Sequence, residues 1–104
     1  MAAHNNGWAL RPAAEADLAE IWQQGATRWG MAQADRYADG LFALFDLLAR
    51  FPEMAPERRE ITPPVRVHAS GAHLVIYRRG TDHEVEIIRI LHAHQNLMAL
   101  LQDG

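Results

Sequence analysis

The chain has 104 residues, no cysteine and a formal net charge of −3. Its length suits one domain with a modest hydrophobic core, and the lack of cysteine excludes disulfides, thiolate metal ligands and a cysteine nucleophile. The net negative charge argues against general nucleic-acid binding, because that affinity comes from neutralising phosphates with cationic side chains.

No segment of the sequence has the composition of a membrane span or a signal peptide. The longest unbroken apolar runs, such as Leu41–Phe45, are far shorter than the roughly 20 residues that a helix needs to cross a bilayer. The N-terminus lacks the basic and apolar regions of a signal peptide. We therefore expect a cytoplasmic protein without a membrane partner.

The N-terminal third of the chain predicts a short strand followed by a helix. Trp8–Leu10 is typical of a short extended segment, an edge strand at most. Pro12 suits the first helical position, where its missing N–H has no partner to lose, and Gly30 suits a helix end. The pattern between them predicts an amphipathic helix from about Pro12 to Trp29. Its apolar face contains Leu18, Ile21, Trp22, Gly25 and Trp29.

A second helix is predicted by a broader apolar stripe from about Ala32 to Arg50. Pro52 ends it, because an interior proline breaks the hydrogen-bond ladder. The link between the two helices is very short, so they should pack as an antiparallel hairpin over residues 12–50. A stripe this broad needs a further partner, for which a sheet is the natural candidate.

The C-terminal half predicts a three-stranded antiparallel meander over residues 65–91. A proline-rich irregular crossover, Pro52–Pro64, precedes it. Turn residues separate three alternating runs, and the middle run is apolar on both faces, which is typical of a central strand. The predicted strands are Val65–Ala69, His73–Arg79 and Val85–Leu91.

A single domain covering residues 1–104 accommodates all of these elements. The predicted order is an N-terminal strand, an antiparallel helical hairpin, a three-stranded antiparallel meander and a short C-terminal helix at Leu97–Gln102. Helices followed by a run of strands indicate the α+β class rather than an alternating α/β fold.

Histidines lie at the open end of the last predicted hairpin, at the start of its first strand and just after its second. His92 and His94 lie two residues apart and could bind a metal or transfer protons. Because no third ligand stands at a fixed spacing, we expect them to satisfy backbone groups, and we expect no metal and no cofactor. His73 should lie opposite Ile88, Ile90 or His92, depending on the register of the hairpin.

Two sets of side chains are candidates for a docking surface. Trp29 ends the first helix beside Gly30, where its indole would be half exposed to a partner. Polar residues also interrupt the strands, and they form either a solvated outer row or a docking surface. These residues are Arg66, Tyr77, Arg78 and Arg89.

Four segments of the chain match the pattern of a known family. They are "LRPAAEADLAEIWQQGATRWG" (Leu10–Gly30), "LARFPEM" (Leu48–Met54), "SGAHLVIYR" (Ser70–Arg78) and "VEIIRILHAHQN" (Val85–Asn96). In this order, over nearly the whole chain, they resemble the RelE/ParE superfamily of small bacterial toxins, and the ParE branch most closely.

The resemblance implies the toxin of a toxin–antitoxin pair, directed at DNA gyrase and neutralised by a ParD-like antitoxin in a hetero-oligomer. Antitoxins of this family are flexible acidic segments that fold on the toxin, which requires an apolar groove with a cationic rim. We therefore expect the antitoxin to contact Arg66, Tyr77, Arg78 and Arg89. We expect the target to contact Trp29, His92 and His94, with no direct nucleic-acid contact.

Relatives in the RelE branch instead cut messenger RNA on the ribosome, using strand arginines and lysines and a C-terminal tyrosine. Here His73 stands at or near the strand-arginine position, lysine is absent, and Leu97–Leu100 occupies the tyrosine region. Cleavage needs cations near the phosphate and a group that moves the proton of the 2′-hydroxyl. We therefore expect a non-catalytic inhibitor without catalytic residues. Two alternatives remain: a RelE-like mRNA endoribonuclease, and a degenerate toxin that serves only as an antitoxin-binding scaffold.

Overall fold

A computed structural model of the protein describes residues 4–5, 7–82 and 84–93. In chain order its elements are β1 (His4–Asn5), β2 (Trp8–Leu10), α1 (Pro12–Trp29), α2 (Met31–Arg50), a 3-10 turn (Pro52–Met54), β3 (Glu57–Arg58), β4 (Val65–Ser70), β5 (His73–Arg79) and β6 (Val85–His92). The predicted α+β class is confirmed, with its helical hairpin and its meander. The helix predicted at Leu97–Gln102 lies outside the described residues.

The strands form one mixed sheet in the order β1-β2-β6-β5-β4-β3. β2 runs parallel to β6, and the other neighbouring strands are antiparallel. The prediction that Trp8–Leu10 is an edge strand is wrong, because β1 pairs with its outer side. β1 and β3 have two residues each, which is too short for an alternating pattern to reveal them in the sequence.

The main hydrophobic core lies between the helical hairpin and one face of the sheet. Tyr77 of β5 and Leu41 and Phe45 of α2 are almost completely buried there. Trp8 of β2 joins them, with its ring centroid 5.0 Å from that of Phe45, and its indole N–H donates to Asp46 at 2.7 Å. Fully burying a side chain of this kind contributes about 1.5–3 kcal/mol, so the hairpin and the sheet stabilise each other.

The opposite face of the sheet carries a smaller apolar cluster. Ile76 of β5, Val65 of β4 and Leu91 of β6 are buried in it together with Ile61 of the crossover. β5 is therefore covered on both faces, as its two-sided apolar pattern predicts. The crossover that connects the helices to the meander also closes this second face.

Candidate functional site

A groove of about 310 Å³ opens between the helical hairpin and the end of the β5–β6 hairpin. We call it the helix–strand groove. It is lined by Ile21, Gln24, Gly25, Arg28, Trp29, Gln33, Ala34, Tyr37, Ala72, His73 and His92. A polar hollow of about 400 Å³ adjoins it and shares its lining residues Ile21, Gln24, His73 and His92. The two concavities therefore form one continuous surface with the histidines at their boundary.

Trp29 forms an exposed apolar wall of the helix–strand groove. It is the last residue of α1 and 61% of its surface is exposed, in agreement with the exposure that its position beside Gly30 predicts. The guanidinium carbon of Arg28 lies 5.8 Å from the centre of its ring. Tryptophan and arginine are the residue types most enriched among those that dominate binding energy at protein interfaces. This pair is therefore the strongest candidate for a docking position.

Tyr37 connects α2 to the turn between β4 and β5. Its hydroxyl oxygen lies 3.1 Å from the carbonyl oxygen of Ser70 and 2.6 Å from Nδ1 of His73. A carbonyl oxygen can only accept, so the single hydroxyl proton goes to Ser70 and His73 donates its Nδ1–H to Tyr37. In the neutral imidazole, Nε2 of His73 is then the nitrogen without a proton. Burial raises the pKa of Tyr37, against a smaller lowering by a hydrogen bond with the backbone of Ala72.

His73 and His92 are direct partners across the β5–β6 pair. The N–H of Ala93 donates to the carbonyl oxygen of Ala72 at 2.9 Å, so the adjacent pair is one without mutual hydrogen bonds, in which side chains stand closest. The two ring centroids are 5.6 Å apart. Burial, and then the neighbouring His92, lower the pKa of His73. The register thus selects His92 among the three partners that the sequence left open, and His94 lies outside the described residues.

Arg89 forms an ion pair with Asp17 of α1. Its Nε and Nη2 atoms donate to the two carboxylate oxygens at 2.8 and 3.0 Å. The same carboxylate accepts the backbone N–H of Ile90 at 2.9 Å. These hydrogen bonds to Asp17 raise the pKa of Arg89, against the effect of burial. The role of Arg89 in the folded chain is to hold α1 against the free edge of β6, and its predicted contact with an antitoxin stays a prediction.

A β-bulge at Ile88 explains why the carboxylate of Asp17 can accept this N–H. Ile87 directs its backbone carbonyl toward β2, which ends opposite it. In a regular strand Arg89 would be the next residue whose backbone N–H and carbonyl point toward β2. The extra residue Ile88 shifts the strand pairing by one residue, so this role passes to Ile90. Ile90 therefore points its N–H at the position where β2 is no longer present. A side chain from α1 replaces the missing strand as the acceptor.

Arg66 and Arg78 are held by neighbours away from the helix–strand groove. Nη1 of Arg66 donates to the carbonyl oxygen of Ala55 at 2.6 Å, and Nε of Arg78 donates to Glu86 at 3.1 Å. Arg66 lies opposite Tyr77 and Arg78 follows it along β5, so the two arginines are on opposite faces of the sheet. The strand arginines therefore do not form one continuous rim, and their contact with an antitoxin stays a prediction.

Tyr77 is a core residue with 0% of its surface exposed. Its hydroxyl donates to the carbonyl oxygen of Pro52 at 3.0 Å, and burial raises its pKa. The prediction that Tyr77 contacts an antitoxin is wrong for the folded chain, because its whole side chain packs between the sheet and the helices. Its polar atom serves instead to fix the crossover after α2.

The sequence did not single out three residues that shape the helix–strand groove. Arg28 directly precedes the exposed Trp29, and this adjacency was a usable signal. Gln24 lies one helical turn before Arg28 on the same face of α1. Tyr37 fits the apolar stripe of α2, and its polar role depends on a contact with His73 that no local pattern reveals.

Replacing Gly71 with alanine should lower the free energy of unfolding by about 1–2 kcal/mol. Gly71 has a φ of +57°, and a Cβ atom there would lie 2.9 Å from the hydroxyl oxygen of Tyr37. The tyrosine would have to move away from His73. Denaturant unfolding measures the effect, and Gly30→Ala is the matched control, because Gly30 also has a positive φ, of +96°, and nothing lies within 4 Å of its added Cβ. A Gly71→Ala variant as stable as the parent would contradict this account of the turn.

The described part of the chain contains no conventional metal centre. Within residues 4–5, 7–82 and 84–93, no three or more histidine, aspartate or glutamate side chains are grouped to hold a metal ion. Among the helices of the same residues, none is both long enough and apolar enough to span a bilayer.

Known proteins match this chain over most of its length. Residues 9–97 match the family model described as ParE toxin of type II toxin-antitoxin system, parDE. The chain is 42% identical over 88 residues to Toxin ParE1 of Caulobacter vibrioides, and the matched region covers 85% of this chain and 90% of that protein. It is 34% identical over 88 residues to Toxin ParE1 of Mycobacterium tuberculosis, with the same coverage of both chains.

A solved structure extends the likeness to three dimensions. A chain from the chromosomal ParDE TA system of P. aeruginosa has a TM-score of 0.69 and 20% identity, covering 80% of this chain and 90% of that chain. At this identity the likeness concerns the fold. The family match spans both helices and the whole meander, and hence every residue that lines the helix–strand groove. The resemblance drawn from the sequence is confirmed: the chain belongs to the ParE toxin family of type II toxin–antitoxin systems, within the RelE/ParE superfamily.

Proposed function

We propose that this ParE-type toxin inhibits DNA gyrase by binding to it, without turnover, and that a ParD-like antitoxin neutralises it in a hetero-oligomeric complex. Membership of the family makes it a toxin with an antitoxin partner. The observation that carries the proposed mode of action is the exposed Trp29–Arg28 pair on the helix–strand groove. It supplies a surface for a protein partner.

The chemistry of the helix–strand groove suits an amphipathic protein segment. Ile21 and Ala34 give it apolar walls, Gln24 supplies an amide, and Arg28 places a cation beside Trp29. Grooves of this composition bind the apolar face of a helix and orient it through a few polar contacts. We assign Trp29 and His92 to the gyrase surface on this basis, and the assignment of His94 to the same surface rests on the sequence alone.

The antitoxin is proposed to contact Arg66 and Arg78 on the sheet. The side chain of Arg78 is 32% exposed and shares Glu86 with Arg11, so an acidic partner segment would compete with Glu86 for two guanidinium groups. Pairing across such an interface affects association rate and specificity more than affinity, and it weakens as salt is added. Arg89 contributes to the same contact only through the part of its guanidinium that Asp17 leaves exposed.

One observation favours a second candidate function, an endoribonuclease. The rings of His73 and His92 lie edge to face with centroids 5.6 Å apart, and two imidazoles can divide the roles of general base and general acid. Cleavage also needs cations that stabilise the charge developing on the phosphate. Two donors of Arg89 already bind Asp17. Arg28 is the arginine among the described residues that line the helix–strand groove, and it would have to supply this charge. Binding therefore explains the site better than turnover does.

Expression of the chain alone in bacteria separates the three functions. We expect growth arrest with intact messenger RNA, because a gyrase inhibitor acts on DNA topology and leaves transcripts uncut. Arrest with cleaved transcripts would support the endoribonuclease. Unaffected growth at good soluble yield would support the scaffold that only binds its antitoxin. A His73→Gln variant is the control: His73 is not assigned to the gyrase surface, so an inhibitor keeps its toxicity, whereas a ribonuclease that uses the pair His73–His92 loses it.

A further inference from the structure

The pair His73–His92 has the arrangement of two metal ligands. The side chains start from opposite positions on β5 and β6, in the type of cross-strand pair that brings them closest together. Both rings line the helix–strand groove and the polar hollow, in an edge-to-face arrangement with ring planes 76° apart. An ion held there would be open to solvent on one side.

The hydrogen bonds of Tyr37 prepare His73 to act as a ligand. Because the Tyr37 hydroxyl gives its proton to Ser70, His73 must donate from Nδ1, and the lone pair of its Nε2 is available to a metal. Histidines that bind metals almost always donate their second nitrogen to a fixed acceptor in this way.

The distance between the rings matches a shared ion. Zinc–imidazole bonds are about 2.0–2.1 Å long, so each ring centre lies about 3.2 Å from the metal, and two rings at a tetrahedral angle have centres about 5.2 Å apart. The observed separation is 5.6 Å. Because Tyr37 holds the ring of His73, the ring of His92 has to turn from its edge-to-face position, with ring planes 76° apart, so that both rings direct a nitrogen at the ion.

We infer that His73 and His92 form a binding site for one divalent transition-metal ion of the class that prefers imidazole, such as Zn²⁺ or Cu²⁺. Two protein ligands leave the remaining positions to water, so the affinity should be well below that of a structural zinc site with four protein ligands. The sequence considered His92 with His94 as a metal pair and predicted no metal, whereas the structure brings His92 beside His73. The inference stands on these contacts and not on the proposed function.

Calorimetric titration of the full-length, tag-free chain with Zn²⁺ tests the site. We expect saturable binding of one ion per chain, and no binding of Mg²⁺, which prefers oxygen ligands. His73→Gln and His92→Gln should each weaken Zn²⁺ binding by at least about 10-fold, and Tyr37→Phe should weaken it by about 10-fold because the ring of His73 loses its acceptor. Circular dichroism of each variant verifies that it is folded.

Two controls make the test decisive. His68→Gln should bind Zn²⁺ like the parent, because His68 does not line either concavity. The His73→Gln variant discriminates between the pair seen here and the pair His92–His94, since only the former needs residue 73. A parent chain that takes up no Zn²⁺ would overturn the inference. So would a folded His73→Gln variant that binds Zn²⁺ as tightly as the parent does.

Discussion

Replacing Asp17 with alanine should lower the free energy of unfolding by about 3 kcal/mol, because one carboxylate serves three donors. Its loss removes both hydrogen bonds of Arg89 and the acceptor of the Ile90 N–H at the same time. A buried N–H without a partner costs about 1–3 kcal/mol. Loss of the ion pair adds to this cost, but by less than the loss of a fully buried pair would. The side chains of Arg89 and Asp17 are 31% and 15% exposed, respectively. Denaturant unfolding measures the loss.

Two further variants show whether the carboxylate acts as described. Arg89→Met keeps an aliphatic stem and leaves the acceptor of the Ile90 N–H in place, so we expect a smaller loss of about 1 kcal/mol. Glu20→Ala on the exposed face of the same helix should change stability by less than about 0.5 kcal/mol. An Asp17→Ala variant that unfolds like Glu20→Ala would show that α1 does not depend on this contact.

The same ion pair affects how a charge reversal at Arg89 is interpreted. A glutamate at this position would stand beside Asp17 and repel it inside a part-buried contact. A loss of antitoxin binding would then reflect a weakened fold as well as a lost interface. Arg78→Glu gives a cleaner test of the antitoxin surface, because Arg78 pairs with Glu86 on the neighbouring strand and does not hold a helix.

Replacing Trp29 with alanine should weaken binding of the chain to gyrase by about 2 kcal/mol, or roughly 30-fold. The indole is exposed on the helix–strand groove with Arg28 beside it, so it is free to fill a pocket on a partner. Surface-immobilised gyrase and purified chain give the affinity directly. The stability of the chain should change little, because most of the side chain is already in solvent.

Met31→Ala is the matched control for this prediction. Met31 is 65% exposed and lies two residues beyond Trp29, yet it does not line the groove. We expect its replacement to change gyrase affinity by less than about 0.5 kcal/mol. Equal effects of the two substitutions would mean that general apolar exposure at this end of the hairpin, and not the groove, drives binding.

Local patterns in the sequence were sufficient for the long elements of the fold. Pro12 and Gly30 marked the ends of α1 within a residue, and the two-sided apolar run of β5 predicted its central position. Periodicity over many residues carries this information, because each residue repeats the same signal. β1 and β3 escaped prediction because two residues contain no period.

The candidate site was harder to predict because it depends on contacts between distant residues. The sequence placed Arg89 and Tyr77 on a surface, but Tyr77 is a core residue and Arg89 has two of its donors bound to Asp17. It could not choose the partner of His73, since a two-residue shift in register decides between His92 and Ile90. Trp29 was predicted correctly as exposed, because its position at a helix end is a local property.

The supercoiling reaction of purified gyrase tests the central claim, that this toxin acts by binding its target and not by cutting RNA. We predict that micromolar chain inhibits supercoiling of relaxed plasmid in a way that saturates with the ratio of chain to gyrase. The Trp29→Ala variant should need a higher concentration for the same inhibition. Full supercoiling at every chain concentration, together with cleavage of ribosome-bound messenger RNA by the same preparation, would contradict the account.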